Sequence, residues 1–552
     1  MKLRTSFFNA AALRKNLARF APAWGIYGLL MLLVVINGSD LTEKAFASDM
    51  GNTVPFMAIL NFFYALLCAQ LLFGDLYNSR MCNALHAMPM RREGWFLTNA
   101  ASGLLFALIP YGAVAVVAEM LCGEFWMFPL LWLCAMTMQF LFFFGVAVLS
   151  GYLVGHRFAM GLVYIILNGF SIIAYWLVYS IFEPMLYGVT IRQELFLDFC
   201  PVVKLCTFSY MEIYTQGIHS YWKIVDGWGY LGICAGVGVV AMALGLLLYR
   251  KRNLETAGDF AAVKFVGPVF LVLYTICGGA CCHGFFSLFL GDENEIFLFL
   301  GLAIGYFTGS MLLQRTVRVF KPKAFLGLGA VALAMILSVI VVRTDLLGIV
   351  RWMPKAEQIK SVSITTGGTT DYRNRQLTLM EAEDLEKILQ IHQYGLENRN
   401  ASNNNVRDVQ VMLSYTLKSG IVKEREYSVD VTDPCGKIIR EYMSRPEIVL
   451  GNVYTNRDSY ALVRAEIYDA NVLITDQEML QQLMDAILAD CEESTLPQDW
   501  GLTGNYGEHY WLSLEFYSKD GLHYYTEIRF TSESKHLTAW MKEQNIQSEK
   551  YN

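Results

Sequence analysis

Charge is nearly missing from long parts of this chain. Between Phe20 and Val342 one apolar stretch follows another, and their interiors hold almost no Asp, Glu, Lys or Arg. Ion-coupled transporters generally need ionisable groups at membrane depth to bind a coupling ion or relay a proton. Here Asp75 and Glu119 lie near the ends of such stretches, and the interior polar groups are neutral: Asn61, Gln70, Thr137, Gln139 and Asn168. Any transport energy is therefore expected to come from elsewhere. No G-x-x-x-x-G-K-[ST] loop occurs, so the chain is not expected to bind ATP in that way, and no H-E-x-x-H occurs either. None of the eight histidines forms a metal or triad pattern, so we expect no catalytic residue, no metal and no cofactor. The twelve cysteines do not suggest a disulfide scaffold. Most, such as Cys68, Cys134, Cys234 and Cys277, sit inside apolar segments as small hydrophobes. Cys281-Cys282-His283 lacks the paired spacing of a zinc site, and its neighbours Gly278, Gly279 and Ala280 point to close helix packing.

What is present divides in two. Each apolar stretch is about long enough to cross a hydrocarbon core of roughly 30 Å as a helix. After the last of them comes a polar tract. The averages (55% hydrophobic, 17% charged, mean hydropathy +0.37) blend these unlike parts. Residues 1–355 carry 24 Lys/Arg against 18 Asp/Glu, whereas residues 356–552 carry 19 against 31. An acidic half argues against nucleic acid as a partner, since phosphates require a basic surface. The expected fold is a polytopic α-helical membrane protein followed by a soluble α+β domain.

Nine spans are read at 21–37, 54–74, 96–119, 127–150, 159–182, 229–249, 265–289, 295–314 and 324–342. With the N-terminus inside, the inner loops hold 17 Lys and Arg and the outer loops 4. This bias places the N-terminus in the cytoplasm and the C-terminal domain outside. Arg343, Arg351 and Lys355, just after the last span, are the discordant residues. No signal peptide is evident. Instead the first twenty residues set Lys2, Arg4, Arg14, Lys15 and Arg19 among Leu3, Phe7, Phe8, Ala11, Leu17 and Phe20, an amphipathic helix expected to lie at the interface, its basic rim on anionic lipid. Gly301, Gly305 and Gly309 recur one turn apart, which forms a flat strip for close helix packing, within the chain or between chains. The amides Asn61, Gln70, Gln139 and Asn168 are candidates for a substrate pathway or for interhelical hydrogen bonds.

The most distinctive loop runs from Phe73 to Trp95 and reads F-G-D-L-Y-N-S-R-M-C-N-A-L-H-A-M-P-M-R-R-E-G-W. Helical spacing persists through Met81, Leu85 and Met88, Pro89 breaks it, and Trp95 marks re-entry at an interface. A short helix on the cytoplasmic face is expected, the alternative being an ordinary basic inner loop. The stretch resembles the coupling-helix region of ABC-2-type permeases of ABC transporters in Gram-positive bacteria. Arg80, Leu85, His86, Pro89 and Arg91 are the positions that carry the match. The run Tyr249-Arg-Lys-Arg-Asn-Leu-Glu255-Thr-Ala-Gly258 and the opening basic helix are also similar to permease features. The resemblance covers about residues 1–260 and implies a cytoplasmic ATP-binding subunit docked on that loop, a second permease chain, and a bacterial cell membrane location. Two departures stand out: three more spans within 261–345, and the exterior domain of 356–552.

Within 356–552 we read a repeated order of strand, helix, hairpin and helix. The hairpins turn at Lys418-Ser419-Gly420 and Lys519-Asp520-Gly521. Cys435 and Cys491 are candidates for a disulfide, or are unpaired. The aromatic group Tyr506, Tyr510, Trp511, Phe516 and Tyr517 is a candidate binding face or core. The functional expectation is a permease subunit of an ATP-binding-cassette exporter that moves a hydrophobic substrate, peptide or lipid. The alternative is a membrane-anchored sensor whose exterior domain binds a ligand or partner.

Overall fold

A long apolar run has one simple way to satisfy every backbone N–H and C=O away from water, which is to form a helix. The computed structural model follows this rule. It describes residues 8–36, 42–87, 90–216, 219–252, 260, 262–290, 295–366, 377–398, 408–456, 459–497, 510–518 and 523–546. Helix α1 (Ala10–Arg19) meets α2 (Ala21–Ile36) at a 60° bend. The chain continues through α3 (Glu43–Phe73), α4 (Ser79–His86), α5 (Arg92–Cys122), α6 (Met127–Leu153) and α7 (Arg157–Phe182). Two short helices, α8 (Gln193–Asp198) and α9 (Pro201–Thr207), lead to an antiparallel hairpin of β1 (Met211–Gln216) and β2 (His219–Ile224). Four more long helices follow: α10 (Trp228–Lys251), α11 (Val266–Leu290), α12 (Ile296–Gln314) and α13 (Pro322–Arg343).

Among the described residues, eight helices (α3, α5, α6, α7, α10, α11, α12 and α13) are long and apolar enough to cross a membrane. The ninth expected span, 21–37, corresponds to α2. It has 16 residues and reaches spanning length only when counted with α1 across the bend. The hairpin β1–β2 and the helices α8 and α9 had no counterpart in the sequence reading.

The chain divides into two compact units. One comprises Met1–Phe182 and Arg192–Leu337; the other comprises Glu183–Ile191 and Ser338–Asn552. In the first, a large core draws on α2, α3, α5, α6, α7 and α10, with Trp132, Tyr111, Tyr152 and Tyr164 among its largest buried side chains. A smaller cluster joins Ile181 of α7 to Ala280, Leu298, Leu302 and Met335 of α11, α12 and α13.

The second unit holds two four-stranded sheets built to one plan. The first comprises β3 (Ile359–Thr366), β4 (Leu377–Leu379), β5 (Asp408–Leu417) and β6 (Val422–Asp430) in the order β4-β3-β5-β6, with helices α14 (Ala382–Glu397) and α15 (Pro434–Met443). Short helices α16 (Pro446–Val449) and α17 (Asn452–Thr455) link it to the second sheet. That sheet comprises β7 (Tyr460–Ile467), β8 (Val472–Ile474), β9 (Tyr510–Ser518) and β10 (His523–Phe530) in the order β8-β7-β9-β10, with α18 (Gln477–Glu492) and α19 (Lys535–Glu543).

The registers coincide. Ile364 pairs with Leu413 and Leu413 with Arg425; in the same places Ile467 pairs with Leu512 and Leu512 with Ile528. The first strand of each sheet carries an irregularity at the same point, between Ile359 and Ser361 and between Leu462 and Arg464. Each half has its own core, with Leu385, Ile388 and Ile391 in one and Leu480, Leu483 and Ile487 in the other. The second hairpin runs two pairs further, to Tyr517 and His523. Gly420, with φ of +83°, makes the turn of the first, whereas Gly521 lies outside the described residues.

Candidate functional site

The loop between α3 and α5 is built by local rules. Helix α3 tightens into one 3₁₀ turn, Gly74–Tyr77. Asn78 then starts α4, its Oδ1 accepting from the backbone N–H of Arg80 at 3.0 Å and of Met81 at 3.4 Å. Helix α4 is amphipathic: Cys82 is buried, while Arg80 and Met81 are exposed. Leu85 and His86 occupy its last turn, and their side chains lie outside the description, as does Pro89 entirely. Arg91 is exposed at the residue that precedes α5.

Both ends of this loop are fastened to the ends of other helices. A helix leaves its last carbonyls without backbone partners, and these carry the negative end of the dipole. Arg92 meets that need for α10: its Nη1 donates to the carbonyls of Tyr249 at 3.3 Å, Arg250 at 3.3 Å and Arg252 at 3.1 Å. Glu93 accepts from Arg250 Nε at 3.1 Å. Buried Arg252 sends Nη1 to the Gly151 carbonyl near the end of α6, 3.2 Å away. Tyr77, at the other end of the loop, donates its hydroxyl to the same carbonyl at 3.3 Å. Gly74 lies against Arg157, at the start of α7, so closely that an added Cβ would sit 2.8 Å from the guanidinium.

Helix α1 closes the same end. Its inner face docks on protein, with Asn16 Nδ2 donating to Asn99 Oδ1 at 3.0 Å and to Ser102 Oγ at 3.1 Å. The Asn9 N–H reaches Thr98 Oγ1 at 3.2 Å. Arg14, Lys15 and Arg19 remain exposed on its other face.

The amides do not all share one place. Asn61 and Gln139 are fully buried and bonded to each other, Nδ2 to Oε1, at 3.0 Å. Asn61 Oδ1 also accepts from the Tyr27 hydroxyl at 2.6 Å and from the Tyr111 hydroxyl, so one side chain joins α2, α3, α5 and α6. Gln139 Nε2 ends the chain on the Val54 carbonyl at 3.1 Å. Gln70 is half-buried on α3. Asn168 is buried on α7, its Nδ2 bonded to its own helix at Tyr164. The geometry at Asn61 and Gln139 is that of an interhelical bond network.

The glycine strip of α12 packs on α11 of the same chain. A Cβ added at Gly301 would lie 2.5 Å from the Gly278 carbonyl, and one at Gly305 would lie 3.1 Å from the Thr275 carbonyl. At Gly309 the nearest atom is Tyr274 Cδ1, at 2.9 Å. The sequence reading missed a closer crossing. Gly145 of α6 and Gly238 of α10 meet so tightly that a Cβ on Gly145 would sit 2.1 Å from the Gly238 carbonyl. It also missed Tyr77, Arg92 and Arg252 as fasteners. The clustered arginines after α10 were legible, but not what they would grip.

In the second unit a cavity of about 590 Å³ lies between α18, β7 and the linking helices. Leu462, Leu480, Met484 and Phe516 are among its apolar lining, and Tyr454, Gln481 and Asp485 among its polar lining. Elsewhere in the unit, His392 is buried with Nδ1 3.0 Å from the Tyr415 hydroxyl. Burial, with the Arg425 charge nearby, pushes the ring down to about 4. Arg445 grips Asp384 with both Nη atoms, at 2.8 and 3.1 Å, and holds that carboxyl below its ordinary value. Cys435 and Cys491 are free thiols in separate cores. Of the aromatic group, Phe516 is buried, Tyr510 stacks on Phe530, Trp511 lies under Arg529 and Tyr517 is exposed. Tyr506 lies outside the described residues. Among the described residues, no group of three or more His, Cys, Asp or Glu side chains is placed to hold a metal ion. No family model, curated protein or solved structure matches the chain.

Proposed function

We propose that this chain is the membrane-embedded permease subunit of an ATP-binding-cassette exporter, driven by a separate cytoplasmic ATPase. The observation that carries the reading is the loop of residues 74–94. Its sequence resembles a permease coupling helix, and its two ends are fastened to α6 and α7 through Tyr77, whose hydroxyl reaches the Gly151 carbonyl and Met160 Sδ, and to α10 through Arg92. A push on α4 is thereby delivered to three long helices, as a coupling element requires. Arg80 and Met81 are exposed on α4, as is Arg91 after it; the coupling positions that the resemblance carries over are Arg80, Leu85, His86, Pro89 and Arg91. A second permease chain completes the transporter, and the cargo is a hydrophobic molecule, peptide or lipid.

Topology supports the reading. Residues Glu183–Ile191 belong to the same compact unit as Ser338–Asn552, and Val189 pairs with Arg425 in an antiparallel bridge. Four long apolar helices, α10 to α13, separate these segments, and an even number of crossings returns the chain to one side. The basic bias makes that side the outside of a bacterial cell membrane. The two matched halves of the exterior domain are read as an internal duplication. The cavity in its second half favours one additional role, ligand binding by an exterior sensor domain.

The test is assembly. A tagged chain should copurify with an ATPase. Leu85→Asp should abolish that assembly while insertion persists, because burying an unpaired charge costs several kcal/mol and each 1.4 kcal/mol is tenfold in affinity. Normal assembly and ATPase stimulation in this variant would overturn the assignment.

A further inference from the structure

Helices α2 and α5 leave an apolar slot between them, lined by Trp24, Gly25, Gly28, Leu29, Ile109 and Pro110 among others, with a volume of about 300 Å³. Leu29 is 59% exposed and Ile109 38%, so the slot opens to the surroundings of the helix bundle. Its lining on α2 runs from Trp24 to Leu32, about 12 Å along the axis at 1.5 Å per residue. A helix from another chain is too thick to enter it: ten residues of helix, about 10 Å across and 15 Å long, occupy roughly 1,200 Å³. A single extended hydrocarbon chain is thin enough.

The slot begins beside a concentration of positive charge. Trp24 donates its indole N–H to the Leu17 carbonyl at 3.1 Å, which fixes the slot's first residue to the end of α1. On α1 the exposed face carries Arg14, Lys15 and Arg19, with no acidic residue in the helix. The inner face of α1 is already occupied by α5, and the three cations are exposed, Arg19 lying over the Phe20 ring at 5.1 Å from its centroid.

We infer that the α1–α2–α5 corner is a binding site for an anionic phospholipid, one acyl chain lying in the α2/α5 slot and the headgroup held by Arg14, Lys15 and Arg19. The inference rests on the membrane reading of these helices and not on the ATPase-driven function. Such a lipid would hold α1 against the bundle at the end where the coupling loop is fastened.

Trp24 makes the site observable. The full chain is reconstituted in vesicles that contain phosphatidylglycerol or phosphatidylcholine with brominated acyl chains. The Trp24 signal is taken as wild type minus Trp24→Phe. Each basic group near an anionic surface contributes roughly a fivefold gain, so partial engagement of three gives on the order of tenfold. Half-quenching is therefore expected at about tenfold lower mole fraction of brominated phosphatidylglycerol than of brominated phosphatidylcholine. Replacing Arg14, Lys15 and Arg19 by Gln should remove that preference. Gly25→Leu, at a position with open space around its Cβ, should fill the slot and reduce quenching by both lipids. Equal quenching by the two lipids in wild type, or unchanged quenching in Gly25→Leu, overturns the proposal. So does cross-linking of two copies through a cysteine at Gly25 with Trp24 shielded from both lipids. If the membrane reading itself is wrong, all 11 tryptophans escape quenching, which separates the two failures.

Discussion

Arg92 and Arg252 meet across 160 residues of sequence, the Arg92 Nη1 lying 3.1 Å from the Arg252 carbonyl. The same nitrogen also reaches the carbonyls of Tyr249 and Arg250, so one guanidinium closes the end of α10 and fixes the start of α5. Charge-assisted hydrogen bonds of this kind contribute about 1.5–3 kcal/mol, and the partial exposure of Arg92 puts it at the low end. Arg92→Ala should lower the melting temperature of the purified chain by a few degrees. On the proposed permease function, it should leave assembly with an ATPase intact, because Arg92 points at α10 and not outward, yet reduce stimulation of that ATPase. Arg92→Lys should restore part of the loss, since all three bonds come from one nitrogen and an ammonium also carries several donors on one atom. Loss of assembly equal to that of Leu85→Asp would show that Arg92 belongs to the docking face instead.

The crossing of α6 and α10 should tolerate no side chain. Gly145→Val places carbon where the Gly238 carbonyl already lies, 2.1 Å from the Cβ position. Backbone cannot yield as a flexible side chain can, so the cost should exceed the 1–3 kcal/mol usual for overpacked cores. Expression with a strongly lowered melting temperature, or failure to fold, is expected. Gly112→Ala, with open space around its Cβ, is the control and should be near neutral.

How much of this was legible in the sequence follows from the range of the forces involved. Apolar runs report helices directly, and alternation with a Gly420 turn reported the first hairpin to within a residue at each end. The α12 strip was visible because Gly301, Gly305 and Gly309 repeat at one helical turn. Gly145 and Gly238 were not, because each is a single glycine whose partner lies on another helix. Of the amides read as a pathway or as interhelical bonds, Asn61 and Gln139 are bonded to each other, since an amide buried among apolar helices has few partners except another polar group. Glu183–Ile191 gave no sign of joining the C-terminal unit: its bridge to Arg425 spans 236 residues, and backbone pairing leaves no pattern in side-chain identity.

The parity of that bridge gives the orientation a direct check. Ser79 and Ser419 are both exposed. In a cysteine-free background, a cysteine at Ser419 should react with an impermeant thiol reagent in intact cells. A cysteine at Ser79 should react only after permeabilisation. Labelling of Ser79 from outside, or protection of Ser419, would reverse the nine-span orientation.

The buried histidine sets a pH window for the first half of the C-terminal unit. His392 of α14 faces Tyr415 of β5 and Arg425 and Tyr427 of β6; its ring lies 5.5 Å from that of Tyr415 and 5.4 Å from that of Tyr427. Burial and the neighbouring guanidinium push it down to about 4, against an unfolded value near 6.5. Between those values the unfolded chain carries the extra proton, so stability rises with pH. The contribution is whole above about pH 6.5, fades as pH falls, and is lost below about pH 4. Integrated over that shift it amounts to about 3 kcal/mol. Asp384 acts in a lower window. Its carboxyl is depressed by Arg445, so that contribution is lost only as pH falls below the ordinary carboxylate range. Thermal unfolding of the full chain should therefore show a melting temperature that declines from pH 7 to pH 4. His392→Phe keeps an aromatic ring between Tyr415 and Tyr427 and removes the titrating group. It should cost some stability at pH 7 through the lost bond to the Tyr415 hydroxyl, and it should flatten the profile between pH 6.5 and 4. A wild-type profile already flat over that interval, or a variant that declines as steeply as wild type, would mean that His392 is not the group that titrates.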